Sequence, residues 1–171
     1  CSSDLPDEAL STSHKVLQHA KTLEDKLRAQ IVTVRLLARG EARDFDSAID
    51  ELKSILKSYD VTVPKNFVPF KVFLEKRKLQ SRIGSIESLL QLPRLDLENK
   101  EDKRTSNIMK LLTLFMRYHL IGRHVDQMRM YAVGRVLNMS IEKGVSEDTA
   151  LALSSIAAYL AKEGHPDCAK V

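Results

Sequence analysis

A helical period of apolar residues runs through almost the whole chain, and it limits the possible folds more than any other feature. In one segment the apolar positions follow each other at spacings of three and four: Leu23, Leu27, Ile31, Val34 and Leu37. Such a stripe is typical of an amphipathic helix that buries one face. Most stripes stop at a glycine or a proline, residues that commonly end helices. The pattern therefore predicts α-helices in series, joined by short links.

The stripes predict eight helices. Their approximate ranges are 9–20, 22–39, 45–60, 67–83, 86–92, 103–121, 125–143 and 146–163, and the polar stretch 94–102 is predicted to be a loop. Aromatic residues make up only 5% of the chain, which disfavours a β-sandwich or barrel because strands favour aromatic side chains. Helices joined by short links pack as antiparallel hairpins. The predicted fold class is all-α, with antiparallel helical hairpins stacked as a solenoid or as a compact bundle.

An internal repeat supports the stacked arrangement. The repeated pattern is an alanine near the start of a helix, followed seven and eight residues later by a pair of apolar residues. It occurs at Ala9, at Ala48 and, with a smaller apolar pair, at Ala150. The first two alanines are 39 positions apart. This spacing fits one helical hairpin per repeat.

Two sets of residues resemble known helical families. The segment Gly40-x-x-Arg43-Asp44-Phe45-x-x-Ala48 resembles the turn between the two helices of a tetratricopeptide unit. A longer series is similar to the helical region that follows the predicted ATPase module in large multidomain serine/threonine kinases and hybrid histidine kinases. Its members are Ala20 to Leu27, Ala48-Ile49, Val61 to Pro64, Ile86 to Pro93, Met139 to Ser146 and Ala150 to Ala152. The resemblance spans residues 4–171.

The resemblance implies a tetratricopeptide-like solenoid that lies between an upstream nucleotide-binding module and downstream signalling domains. Residues 1–171 are expected to form a single helical-repeat domain of a larger protein, with a subdivision near 94–102 left open. The function it implies is that of a non-enzymatic scaffold or protein-interaction module. Its expected partners are adjoining domains of the same protein or another signalling protein.

No motif for catalysis or cofactor binding occurs in the sequence. It has no GxxxxGK(S/T) loop for phosphate, no GxGxxG, no GxSxG and no HExxH. The five histidines show no spacing that recruits further ligands. We therefore predict no enzymatic activity in this chain, no cofactor and no metal site.

Cysteine use and hydropathy indicate the compartment. Cys1 and Cys168 stand near the two ends of the chain and are interpreted as free thiols in a reducing environment. No run of about 18 apolar residues occurs, so no membrane span is predicted. No charged segment followed by an apolar core opens the chain, so no signal peptide is predicted. The expected location is the cytoplasm.

A basic run in the fourth predicted helix is the candidate binding site. Helical spacing places Lys71, Lys78 and Arg82 near one face, and the net charge of the chain is +4. These cations could contact phosphate or an acidic partner, so a basic nucleic-acid-binding domain is the alternative function, although it is disfavoured. The competing interpretation is an ordinary solvated helix face. Phe70, Phe73 and Arg77 follow helical spacing in the same helix, and the two rings are predicted to pack in the core rather than to stack on bases.

Two further expectations concern contacts between helices. Arg135 falls within an apolar stripe, so it needs a carboxylate partner. Asp126, Glu142 or a neighbouring domain is expected to supply that partner. The first and last helices are each expected to leave an apolar face open, so we predict that the isolated fragment can form a homodimer.

Overall fold

In the computed structural model, residues 4–39, 43–64, 68–82, 91–122 and 126–162 are described. These residues form seven helices and no strand. The helices are α1 (Asp4–His19), α2 (Leu23–Arg39), α3 (Phe45–Ser58), α4 (Val68–Arg82), α5 (Lys100–Ile121), α6 (Asp126–Lys143) and α7 (Glu147–Lys162). The all-α prediction is confirmed for this part of the chain. The predicted helix at 86–92 lies mostly outside the described residues, as do Cys1 and Cys168.

Polar side chains at the starts of the helices explain where α2 and α3 begin. The backbone N–H of Asp25 donates to Thr22 Oγ1 over 3.1 Å, and the Thr22 hydroxyl donates to Asp25 Oδ2 over 2.7 Å. The backbone N–H of Ser47 donates to Asp44 Oδ1 over 2.9 Å. Both caps satisfy N–H groups that have no partner within the helix. The hydrogen bonds from Ser47 also lower the pKa of Asp44.

The start of α5 differs from the prediction. The helix begins at Lys100, three residues before the predicted position. Its N-cap is Asn99, whose side chain accepts a hydrogen bond from the N–H of Glu101 over 2.8 Å. Glu101 and Asp102 then lie in the first turn, where the helix dipole favours negative charge. Of the predicted loop 94–102, only residues 94–99 are therefore non-helical.

The chain divides into two compact units, Cys1–Val63 and Pro64–Val171. In the first unit, α2 contacts both α1 and α3. The most deeply buried side chains of this unit are Val34, Ala48, Leu52, Ile55 and Leu56. Val34 belongs to the predicted stripe of α2, and the α3 residues recur at spacings of three and four, so the helical period places them in the core.

In the second unit, α6 is the central helix and contacts α4, α5 and α7. The most deeply buried side chains of this unit include Met109, Leu111, Leu112 and Phe115 of α5 and Val133, Val136 and Leu137 of α6. The segment before α5 is attached to the link between α6 and α7. The N–H of Val145 donates to the carbonyl of Pro93 over 2.8 Å, and the N–H of Leu95 donates to the carbonyl of Val145 over 3.1 Å. The stretch 94–102 lies inside this unit, and the predicted single domain stays a prediction.

Asp148 gives the second unit a pH dependence that a substitution can isolate. The residue lies in the first turn of α7 and is 5% exposed, and burial raises the pKa of its carboxyl above the ordinary value of 3.8. The folded chain therefore binds this proton more tightly than the unfolded chain. As the pH rises from 3.8 through the raised pKa, the contribution of Asp148 to the free energy of unfolding should fall.

Over that pH window, the free energy of unfolding of the wild type should fall relative to that of Asp148→Asn, because asparagine does not titrate. Urea unfolding of both proteins from acid pH to neutrality measures the difference, and the other carboxylates cancel in it. Unfolding midpoints that differ by a constant amount at every pH would contradict the prediction.

Candidate interaction surfaces

An open groove lies between α1 and α2. Each helix contributes residues at positions i, i+3, i+4 and i+7, the spacing of one helix face. The lining residues are Ala9, Thr12, Ser13 and Val16 from α1 and Asp25, Arg28, Ala29 and Val32 from α2, with Glu8 beside them. The groove has a volume of about 600 Å³, which lies within the range of binding sites in proteins.

Small side chains form the base of the groove. The Ser13 hydroxyl donates to the carbonyl of Ala29 over 2.8 Å and lies 2.9 Å from the hydroxyl of Thr33. Ser13 and Ala29 are both buried. The close approach of the two helices thus supplies a hydrogen-bond acceptor for the Ser13 hydroxyl that it buries. Ser13 stands four positions after Ala9, so the two residues lie on the same face of α1.

The sides of the groove are apolar and its rim is charged. Val16 is 42% exposed and Val32 is 39% exposed. Around them lie the exposed residues Glu8, Asp25 and Arg28. An apolar strip between charges of both signs matches the surface of an amphipathic helix, which buries its apolar face and pairs its flanking charges.

The outer face of α4 corrects a prediction from the sequence. Phe70 is 57% exposed and Phe73 is 54% exposed, so the prediction that they pack in the core is wrong. The inner face of the helix is taken by Glu75 and Leu79, its two buried residues. Phe73 lies about 200° around the helix axis from Glu75. The orientation of α4 that buries Glu75 therefore turns both rings outward.

Glu75 packs closely against α6 and accepts hydrogen bonds from one of its residues. The side-chain amide of Asn138 donates to Glu75 Oε2 over 2.8 Å and to the carbonyl of Glu75 over 3.1 Å. A Cβ atom placed on Gly134 would lie only 2.8 Å from the Cβ of Glu75. The absence of a side chain at Gly134 is what lets α4 approach α6 closely. A buried carboxylate needs such partners, because unpaired burial of a charge is strongly unfavourable.

Arg135 also faces Glu75. Its Nη1 lies 3.6 Å from Glu75 Oε1. The described carboxylate partner of Arg135 is thus Glu75 rather than Glu142, which pairs with Arg82. The side chain of Asp126 lies outside the described residues. Tyr131 belongs to the same contact between the helices, and burial raises the pKa of its hydroxyl.

The three residues of the predicted basic site share one side of α4. Lys71 and Lys78 are exposed, whereas Arg82 makes an ion pair with Glu142 of α6. Two more exposed cations, Lys76 and Arg77, lie further round the helix. Among the described residues, no carboxylate makes an ion pair with the four cations other than Arg82. The sequence therefore located a basic helix, but its exposed rings could not be recognised from hydrophobicity alone.

The described residues contain no group of three or more histidine, cysteine, aspartate or glutamate side chains that could hold a metal ion. None of the described helices combines the length and the apolar character that crossing a bilayer requires. Comparison with models of protein families, with curated proteins and with solved structures gave no match. The groove of α1 and α2 and the outer face of α4 are thus the surfaces from which a function can be argued.

Proposed function

We propose that this chain is a non-enzymatic helical scaffold that binds protein partners, as part of a larger signal-transduction protein. The observation that carries the proposal is the groove between α1 and α2, whose exposed valines lie between charges of both signs. Exposed apolar surface bordered by polar groups is typical of protein interaction sites. The helical-repeat resemblance supports the same function, with hairpins stacked as in tetratricopeptide proteins and the chain linking a nucleotide-binding module to output domains in the cytoplasm.

The chemistry of the groove specifies the partner. Its partner is an amphipathic helix with small or apolar residues at i, i+3 or i+4, and i+7, the spacing of the groove's own lining. The helix carries a carboxylate that can meet Arg28 and a cation that can meet Glu8 or Asp25. Such pairs at the rim set the orientation and the association rate more than the affinity. The contact between the apolar faces supplies most of the affinity.

Val32→Glu is expected to weaken partner binding at least about tenfold, because a carboxylate in the apolar groove must lose its hydration on binding. The measurement starts with a phage-displayed library of helical peptides selected against the wild-type chain. The selected sequences should share the apolar spacing described above. Fluorescence anisotropy then compares the affinity of each peptide for the wild type and for the variant.

Leu23→Glu is the matched control. Leu23 is also in α2, it is 42% exposed, and it does not line the groove. Equal loss of affinity in both variants would contradict the proposed site, and so would a library that yields no shared spacing. Sedimentation of the chain alone tests a second copy as the occupant: a concentration-dependent dimer that Val32→Glu abolishes would identify a homodimer through this groove.

A further inference from the structure

We propose that the outer face of α4 binds single-stranded nucleic acid by stacking bases on Phe70, Phe73 and Arg77. This inference goes beyond the proposed scaffold function, because it concerns a different unit of the chain and a different class of ligand. It rests on the exposure of two aromatic rings beside a dense group of cations. We call Phe70, Phe73 and Arg77 the planar stripe.

The planar stripe has a spacing suited to successive bases. Its residues stand at i, i+3 and i+7, so they lie along one line on the surface of the helix. The rise between neighbouring members is about 4.5 Å and then about 6 Å. Phe70 and Phe73 are more than half exposed. Phenyl rings and guanidinium planes can stack on any of the bases, so such binding does not depend on the sequence of the strand.

Cations lie on both sides of the planar stripe. Lys71 and Lys78 lie on the side of the helix from which Arg82 pairs with Glu142, and Lys76 lies on the other side. All three are exposed. Glu75, the one carboxylate of α4, is 7% exposed and bonded to Asn138, so it does not offset these charges at the surface. The helix therefore presents a net positive surface to a strand of phosphates.

The arrangement favours a nucleic acid over the other polyanions. A helix that lies in a membrane surface presents a broad apolar face to the lipid, whereas the guanidinium of Arg77 lies in line with the two rings. An acidic peptide would engage the lysines and leave the exposed rings without a contact. A single strand with bases uses both the rings and the cations.

The experiment uses the full chain and three fluorescein-labelled strands of equal length: oligothymidine, oligouridine and an abasic strand with the same phosphates. We expect the chain to bind the strands with bases more tightly than the abasic strand at low salt. The double variant Phe70→Ala/Phe73→Ala should lose at least about tenfold in affinity for the strands with bases. Its affinity for the abasic strand should stay unchanged, because the phosphate contacts remain. A fourth strand, oligodeoxyuridine, differs from oligouridine only in the 2′-hydroxyl, so the ratio of these two affinities shows whether DNA or RNA is the better ligand.

The matched control for the rings is Leu97→Ala/Leu120→Ala, since these side chains are 61% and 56% exposed in the same unit. The matched pair for charge is Lys76→Gln/Lys78→Gln, which leaves the planar stripe intact, against Arg35→Gln/Lys57→Gln, exposed cations of the first unit. The first charge variant should reduce the slope of log affinity against log salt by about 0.7 for each phosphate contact that it removes. The second should leave the slope unchanged.

Three outcomes would overturn the proposal. The first is equal affinity for the abasic strand and the strands with bases, because binding would then depend on charge alone. The second is no binding of any strand at low salt. The third is binding to vesicles of phosphatidylcholine and phosphatidylserine that the phenylalanine variant abolishes while its strand binding stays at the wild-type level, which would assign the rings to a membrane surface.

Discussion

Phe115→Ala is expected to lower the free energy of unfolding by about 3–5 kcal/mol, the range found when a buried aromatic side chain is cut back to alanine. Phe115 lies in the middle of α5 and is fully buried. Its ring centroid is 4.2 Å from that of His119, with the two planes tilted by 43°. Truncation removes the apolar surface of the ring and leaves a cavity that the surrounding helices can fill only in part.

Urea unfolding followed by circular dichroism measures this loss. Leu120→Ala is the control, because Leu120 is 56% exposed in the same helix. Its effect should stay within about 0.5 kcal/mol, as for most surface substitutions. A loss below about 1 kcal/mol for Phe115→Ala would contradict close packing around this ring.

The existence and limits of most helices follow from the sequence, because their apolar stripes are long and regular. The start of α3 at Phe45 matches the prediction, since Asp44 is a residue that accepts hydrogen bonds from the first turn. The start of α5 was predicted too late, because its first turn is entirely polar and shows no stripe. Asn99 followed by Glu101 and Asp102 was the available signal.

The outward orientation of α4 could not be predicted from local sequence. Hydrophobicity places phenylalanine in the core and glutamate in solvent, and in α4 both expectations are wrong. The partners that reverse them lie in α6, and Asn138 is 63 positions away from Glu75 along the chain. Gly134 permits the close approach, but a glycine in a helical segment does not by itself reveal which residue it faces. The exposed rings of the planar stripe therefore emerge only when the two helices are seen together.

The groove between α1 and α2 could be predicted in part. Ala9 and Val16 belong to the repeated pattern of the first helix, for which an open apolar face was expected. The pairing of Ser13 with Ala29 and the charged rim depend on how α2 packs against α1. The way two helices pack determines which residues of their stripes come into contact, and the local pattern of each stripe does not specify those contacts.

Gly144→Ala is expected to lower the free energy of unfolding by about 2–6 kcal/mol, for two reasons that add. Gly144 has a φ of +130°, a conformation open almost only to glycine, and forcing another residue into it costs about 1–3 kcal/mol. An added Cβ would also lie 2.8 Å from the carbonyl oxygen of Pro93. That oxygen is backbone and accepts the hydrogen bond of Val145, so it cannot move aside as a flexible side chain would. Overpacking of this kind adds about 1–3 kcal/mol.

Gly122→Ala is the matched control for Gly144→Ala, because Gly122 ends α5 with a φ of −72° that alanine adopts without strain. This control should leave stability unchanged or raise it by up to about 1 kcal/mol. Hydrogen exchange adds a local readout: the amides of Leu95 and Val145, which bond across the link, should lose protection in Gly144→Ala and keep it in Gly122→Ala.

Since these two bonds attach the segment before α5 to the link between α6 and α7, wild-type stability in Gly144→Ala would mean that the segment can move away without loss. Its attachment would then contribute little to the second unit, and the burial of Leu95, which is 9% exposed, would have to be maintained by other contacts.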